Sequence, residues 1–180
     1  ALFNMAREAG LIPEQVRLQS PRKGEIPFDS RRKLMTTVNE IEGHDIVFVK
    51  GAVDVLLKKC TRLANPAAGQ GTGLAGQRPE AAIPCRTLSS SDRQRILDQN
   101  SRWSARGLRV LAFACRPFNE EGKEHGNSGL AGAKAGNSQE RSSLSGRLED
   151  NLVFLGLTAM MDPPRPESRQ AVASARQAGI

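Results

Sequence analysis

Three short segments place an aromatic ring or a cation where a predicted strand or turn ends. They are EIPFDSRRKLM at residues 25–35, FVKGAVD at residues 48–54 and RGLRVLAFA at residues 106–114. In the first segment three consecutive cations separate Phe28 from Met35. A packed strand would explain the two apolar side chains but not the cations between them, whereas an anionic ligand with a flat apolar part would use both. The segments therefore favour a site for such a ligand.

A purely structural interpretation of the same residues stays open. Phe28 and Met35 would then belong to the core, Lys50 would be a charge at the end of a strand, and Arg109 would be solvated. Cations on strand edges commonly keep proteins soluble, so their presence alone does not indicate a ligand.

The composition is that of a globular domain with anionic partners. At 180 residues, 38% of them hydrophobic and 25% charged, the chain can enclose its own core. The formal net charge of +7 favours nucleotides, nucleic acid or acidic lipid headgroups. The apolar run at residues 152–161 is about half of the ~20 residues needed to cross a bilayer, and no signal peptide opens the chain. Three widely spaced cysteines indicate a reducing compartment.

The hydrophobic pattern predicts a mixed α/β fold: a twisted, mainly antiparallel sheet flanked by helices. A turn at Glu42-Gly43-His44-Asp45 indicates a hairpin between two of the strands. Strands are expected near residues 16–28, 33–39, 45–50, 108–116 and 152–160.

Helical spacing of apolar residues predicts four helices. The longest begins at an S-x-x-Q capping box formed by Ser91 and Gln94, and it ends at Gly107. The others are expected at residues 1–10 with Gly10 as the stop, at residues 52–60, and from Pro166 onward.

Two segments are expected to be surface loops. Residues 65–90 are rich in Pro and Gly without periodicity, and residues 119–147 form a polar, Gly/Ser/Asn-rich flexible insertion. The first helix lacks an N-cap and the last has no sheet left to cover, so we expect the chain to be a piece of a longer protein.

Other motifs do not support chemistry. GTGLAG at residues 71–76 matches a dinucleotide fingerprint in its letters, but it lacks the preceding strand and following helix that the fingerprint needs. His44 and His125 have no Cys or His at ligand spacing, so no metal site is expected. No recognisable frame of catalytic residues is present, and we assign no catalytic residue.

Taken together, four motifs resemble the nucleotide-binding domain of P-type cation-transporting ATPases, in particular the calcium-pump branch. In chain order they are EIPFDSRRKLM, VKGAVD, RGLRVLAFA and LVFLGLTAMMDPPRPE. Four motifs in the same order are far more specific than any one of them. By this resemblance residues 1–161 form the nucleotide-binding domain, truncated at its N-terminal side. By the same resemblance, residues 162–180 would form the hinge and the start of the phosphorylation domain.

The resemblance implies an ATP pocket. Phe28 would stack on adenine, a contact that contributes roughly 1 to 3 kcal/mol. Lys50 would line the same pocket, and Arg109 would meet the phosphates with a planar guanidinium. The residues that match nucleotide-binding positions are Phe28, Lys33, Met35, Lys50, Gly51, Ala52 and Arg109.

Departures from the family pattern accompany these matches. The family's usual KGAPE is KGAVD here, so the turn loses a proline while Asp54 keeps a carboxylate. An acidic motif that normally precedes residue 1 is absent, which implies weaker ATP affinity than in the intact domain. Arg31 and Arg32 match no pocket position and are expected to stay solvated.

The resemblance also implies cofactors and partners. The ligand would be ATP, accompanied by Mg²⁺ in the full-length protein, and the partners would be the phosphorylation and transmembrane domains of the same parent polypeptide. The DKTGT segment with its phosphorylatable aspartate is absent, so this chain should bind ATP without hydrolysing it, whereas the parent would be a cation-translocating enzyme. The chain would be a cytoplasmic domain of an integral membrane protein that presents the γ-phosphate to that aspartate.

Two other classes of function remain as alternatives. A basic nucleic-acid-binding module would use the net charge, but no predicted helix carries a concentrated basic face with stacking aromatics, and no nucleic acid is expected as a partner. A structural domain without a ligand would show no stabilisation by nucleotides.

Overall fold

A single mixed sheet organises the part of the chain that the computed structural model describes, namely residues 2–65, 84–118, 148–161 and 166–179. Within these ranges seven strands lie in the order β1-β2-β3-β6-β7-β4-β5. Neighbouring strands are antiparallel except β4 and β7, which are parallel. The predicted fold class is therefore confirmed. The strands are β1 (Arg22–Asp29), β2 (Leu34–Ile41), β3 (His44–Gly51), β4 (Cys60–Ala64), β5 (Cys85–Thr87), β6 (Arg109–Pro117) and β7 (Leu152–Met160).

Five helices accompany the sheet in these ranges. In α1 and α4 the chain leaves the helix through a glycine with positive φ, Gly10 at 80° and Gly107 at 74°, as predicted. No helix among the described residues is both long and apolar enough to cross a bilayer. The helices are α1 (Leu2–Glu8), α2 (Pro13–Gln19), α3 (Val53–Leu56), which continues into a 3₁₀ turn (Leu57–Lys59), α4 (Ser90–Ala105) and α5 (Pro166–Gln177).

The β2–β3 hairpin sets the register of the sheet. Glu42 and Gly43 connect the strands with φ values of 49° and 80°. Two consecutive positive φ angles are typical of a type I′ turn, whose twist matches that of the flanking strands. The resulting register pairs Met35 with Lys50.

The main core lies on one face of the sheet, against α3 and α4. Alternate residues of β2, for example Leu34 and Val38, are buried there, and Val53 at the start of α3 joins them. Val53, which stands where the resemblance implies a proline, thus packs in the core. The opposite face carries a smaller cluster of Ile46, Cys115 and Val153.

Two strand predictions need correction. Residues 16–19 belong to α2 and not to a strand, because Pro13 at the first helical position favours helix formation, and β1 begins only at Arg22. Within the expected loop at residues 65–90, Cys85–Thr87 forms β5 against β4. Strands of three and five residues are too short to show a clear period.

The predicted capping box of α4 is wrong by two residues. Ser89 is the N-cap, and its hydroxyl accepts a bond from the Asp92 N–H at 3.1 Å. The Asp92 carboxylate in turn accepts the Ser89 N–H at 3.1 Å and pairs with the Arg86 guanidinium of β5. Asp92 fits the first turn of α4 better than Gln94 does, because its negative charge interacts favourably with the helix dipole and with Arg86.

Several predictions concern residues outside the described ranges. They include the GTGLAG motif, His125, the insertion at residues 119–147, most of the loop at residues 65–90, and residues 162–165 of the expected hinge.

Candidate ligand-binding groove

A groove of about 190 Å³ crosses the middle of the sheet on the face opposite α3 and α4. Its floor is apolar and its lining includes two cations. The lining residues are Arg22, Met35, Thr37, Phe48, Val49, Lys50, Phe113, Ala114 and Leu155.

Lys50 lies at the centre of this floor. It is the cross-strand partner of Met35 on one side and of Phe113 on the other. Directly paired residues of antiparallel strands project from the same face, about 5 Å apart. The half-buried Lys50 therefore lies in a row between a residue with a thioether and one with an aromatic ring. Such a row can cover a flat apolar group and bind an anion next to it.

Gly51 and Ala52 hold the turn that precedes β2. A Cβ on Gly51 would lie 2.1 Å from the carbonyl oxygen of Lys33, so only glycine permits this approach. The Ala52 N–H donates to the same oxygen at 3.1 Å. The end of β3 and the turn carrying Lys33 are thus in direct contact.

Asp29 organises that turn from its other end. Its carboxylate accepts the N–H groups of Arg31 at 2.8 Å and Arg32 at 3.0 Å, and its carbonyl oxygen accepts the Lys33 N–H at 2.6 Å. The two backbone N–H groups, first that of Arg32 and then that of Arg31, lower the pKa of Asp29. Lys33 adopts φ 57°, which turns the chain sharply into β2, and its side chain is exposed.

Arg32 is not solvated, contrary to the sequence expectation, whereas Arg31 is exposed. The Arg32 side chain is 18% exposed, and its guanidinium pairs with the carboxylate of Glu149. Its other terminal nitrogen donates to the Pro27 carbonyl oxygen at 2.8 Å. Glu149 is distant in sequence, and the residues between it and Phe118 gave no pattern from which this pair could be predicted.

Phe28 and Arg109 are outside the set of described residues that line the groove. Phe28 lies near the end of β1, within an irregularity of the β1–β2 register, and is 62% exposed. Arg109 is exposed at the start of β6. Because side chains alternate between the two faces along β6, Arg109 and Phe113 lie on the same face of the sheet. At 3.3 Å per residue the two positions are about 13 Å apart.

Of the predicted site residues, Met35 and Lys50 line the groove, while Lys33, Gly51 and Ala52 are joined at its end by the contacts above. Sequence reasoning missed seven lining residues, two of which, Val49 and Ala114, are chain neighbours of Lys50 and Phe113. Strand alternation from Lys50 could have identified Phe48, which lies two residues earlier, and alternation from Arg109 could have identified Phe113. No local signal marked the others, because cross-strand pairing brings them in; they are Arg22, Thr37 and Leu155.

Metal ligands are not grouped in the described ranges: no set of three or more His, Cys, Asp or Glu side chains there could hold a metal ion. His44, expected in a turn, is the first residue of β3 and is half-buried. The charged residues that line this groove are Lys50 and Arg22, and the Arg22 guanidinium pairs with the carboxylate of Glu25.

Comparison with known proteins identifies the family. The family model described as "P-type ATPase, cytoplasmic domain N" matches residues 1–167. The chain is 32% identical over 180 residues to calcium-transporting ATPase 1 of Lactococcus lactis and 32% identical over 182 residues to a calcium-transporting ATPase of Bacillus subtilis. It is 31% identical over 182 residues to cation-transporting ATPase pma1 of Synechocystis. Each alignment covers 100% of this chain but only 16% of the relative's length. The predicted family is confirmed: the chain belongs to the cytoplasmic N domains of P-type ATPases.

Proposed function

We propose that this chain binds ATP in the groove over β2, β3 and β6. The observation that carries the proposal is the position of Lys50 between Met35 and Phe113 on an open, apolar floor. Adenine is flat and largely apolar on its faces, so it fits such a floor, and the ammonium attracts the anionic remainder of the nucleotide.

The phosphates would extend toward the end of the sheet where β3 ends at Gly51. Lys33 belongs to the turn that contacts Gly51, and Arg109 lies three residues from Ala112, the β6 partner of Gly51. Two cations near the same end can share the charge of a triphosphate, and a guanidinium can bind two phosphate oxygens at once. Phe28 would stack on the base from the edge of the sheet.

In the parent polypeptide the chain would serve a cation-translocating P-type ATPase. ATP, accompanied by Mg²⁺, would supply the phosphoryl group, and the acceptor aspartate would lie in a phosphorylation domain outside these residues. Residues 162–180 would form the hinge to that domain, and transmembrane domains of the same polypeptide would move the cation. The groove would then face the cytoplasm. The relatives named as calcium- and cation-transporting ATPases support this proposal.

The first test is a titration of the 180-residue chain with ATP, followed through assigned backbone amide NMR signals. We expect saturable shifts at Lys50, Phe113 and Arg109. An absence of shifts at millimolar ATP would remove the proposal.

Arg109→Ala tests the phosphate assignment. We expect it to lower the affinity for ATP about tenfold and the affinity for adenosine by less than about twofold, because only ATP carries the phosphates. Arg102→Ala, an exposed arginine on α4, is the matched control and should change neither affinity. An unchanged ratio of ATP to adenosine affinity in Arg109→Ala would exclude Arg109 from the phosphate role.

A further inference from the structure

Glu149 is a buried carboxylate that the groove itself does not use. It is 1% exposed and lies just before β7. One of its oxygens accepts the Thr36 hydroxyl at 2.5 Å and also pairs with the Arg32 guanidinium. A carboxylate this deeply buried is strongly destabilising unless a cation and hydrogen bonds satisfy it, so Arg32 is held firmly in place.

Arg32 connects this anchor to both sides of the turn between β1 and β2. Its second terminal nitrogen donates to the Pro27 carbonyl oxygen at 2.8 Å, and Pro27 directly precedes Phe28. Its backbone N–H donates to the Asp29 carboxylate at 3.0 Å. A guanidinium can hold two acceptors in a fixed plane, which a flexible ammonium cannot do.

Lys33 follows Arg32 directly, so the anchored guanidinium restricts the backbone from which the Lys33 side chain extends. The turn is also fixed from the far side, where the Lys33 carbonyl oxygen accepts the Ala52 N–H at 3.1 Å. At φ 57° Lys33 occupies a conformation that non-glycine residues rarely adopt and that the surrounding contacts must maintain. Glu149 supplies the deepest of those contacts.

We propose that Glu149 is a positioning residue of the nucleotide site: acting through Arg32, it fixes the turn from which the Lys33 ammonium reaches the triphosphate. This inference rests on the proposed ATP function. It predicts that removing the Glu149 charge lowers affinity for the phosphates more than affinity for the nucleoside.

The test is a double-mutant cycle in the 180-residue chain with Glu149→Gln and Lys33→Ala. The glutamine keeps the size of the side chain and an acceptor for Thr36 but loses the charge that holds Arg32. We expect Glu149→Gln alone to lower the affinity for ATP roughly tenfold and the affinity for adenosine by less than about twofold. In the Lys33→Ala background the same change should lower the affinity for ATP by less than about twofold, because the cation that Glu149 positions is gone.

Asp92→Asn is the matched control for general destabilisation. Asp92 is also buried, at 2% exposed, and is also paired with an arginine, Arg86, but it belongs to the start of α4. It should lower the melting temperature without changing the ratio of ATP to adenosine affinity.

The outcomes separate this inference from the proposed function. If the wild-type chain binds no ATP, the proposed function fails and the inference falls with it. If the wild type binds ATP but Glu149→Gln weakens ATP and adenosine equally, or weakens ATP just as much without Lys33, only the positioning role is overturned. Should Glu149→Gln not fold, Arg32→Lys decides: it keeps a cation for Glu149 but cannot also hold Pro27, so the same selective loss of ATP affinity is expected, and its absence overturns the inference.

Discussion

Phe28 leaves 62% of its surface in contact with solvent at the end of β1. An exposed ring contributes little to the stability of the folded state, so its removal chiefly tests ligand binding. Stacking of a nucleobase on the ring would raise affinity for the nucleotide without affecting the stability of the fold. Measurements of affinity and of stability therefore separate a binding role of Phe28 from a structural one.

Phe28→Ala is expected to lower the affinities for ATP and AMP alike, by about tenfold, because both nucleotides carry the base that would stack on the ring. The melting temperature should change little. Isothermal titration with each nucleotide measures the effect. Phe3→Ala removes another exposed ring, 44% exposed on α1, and serves as the control that should leave both affinities unchanged. Equal affinities in wild type and Phe28→Ala would exclude the stacking role.

Asp92 illustrates how one residue joins two elements. It closes the capping box of α4 and pairs with Arg86 of β5, so it ties an edge strand to a helix. The hydrogen bonds from Arg86, and then those from Ser89, hold the pKa of Asp92 well below its ordinary range. A carboxylate with a lowered pKa stabilises the fold fully above its unfolded pKa of about 4, and this contribution is lost as the pH falls further.

Asp92→Asn should therefore lower the melting temperature at pH 7 by about 2–4 °C, the shift expected for the loss of one helix cap in a domain of this size. The difference from wild type should shrink as the pH falls below about 4, because the unfolded chain then binds a proton that the folded Asp92 carboxylate, with its lowered pKa, does not. Thermal unfolding followed by circular dichroism at pH 7 and pH 3 measures this. A difference that is as large at pH 3 as at pH 7 would contradict the assigned role of the charge.

Elements with strong local signals were predictable from the sequence. The β2–β3 hairpin has a Glu-Gly turn between alternating strands, and α4 ends at a glycine that local sequence marks. By contrast, α2, β4 and β5 span seven residues or fewer, and β4 pairs with β5 and β7, which lie far away in the chain. The site divides in the same way. Met35 and Lys50 came from motifs, whereas Arg22, Leu155 and the Arg32–Glu149 pair depend on tertiary contacts that no local pattern encodes.

The whole molecule carries a formal net charge of +7, and the charged residues that line the described groove are Lys50 and Arg22, the latter paired with Glu25. A ligand that binds only the folded state raises its stability by an amount set by the ratio of free ligand to Kd. The positive field should make ATP binding sensitive to ionic strength, since screening weakens attraction between separated charges.

ATP at about one hundred times its Kd should raise the melting temperature by roughly 5–10 °C, since such a ligand excess stabilises by about 2.7 kcal/mol. Adenosine at the same concentration should raise it less, and added salt should reduce the ATP effect without abolishing it. Differential scanning fluorimetry measures both. A melting temperature that does not change with ATP would favour a structural domain. Binding to nucleic acid that is lost with added salt, together with no response to free ATP, would favour a nucleic-acid-binding module.

The pairing of β7 has a mechanical consequence. It pairs with β6 from Val153 to Met160, with one irregularity at Leu155, whereas β4 pairs only with Leu152 to Phe154. Tension applied at the Met160 end along the strand axis would load the β6–β7 hydrogen bonds together in shear, so that they resist as a group and do not break one at a time. Because Gly156 pairs with Phe113 on the groove floor, a displacement of the chain beyond residue 161 would be transmitted straight to the candidate ligand site. We expect the force needed to detach β7 in single-molecule pulling from residue 161 to rise when ATP is bound, and an unchanged force would show that strand and groove are mechanically independent.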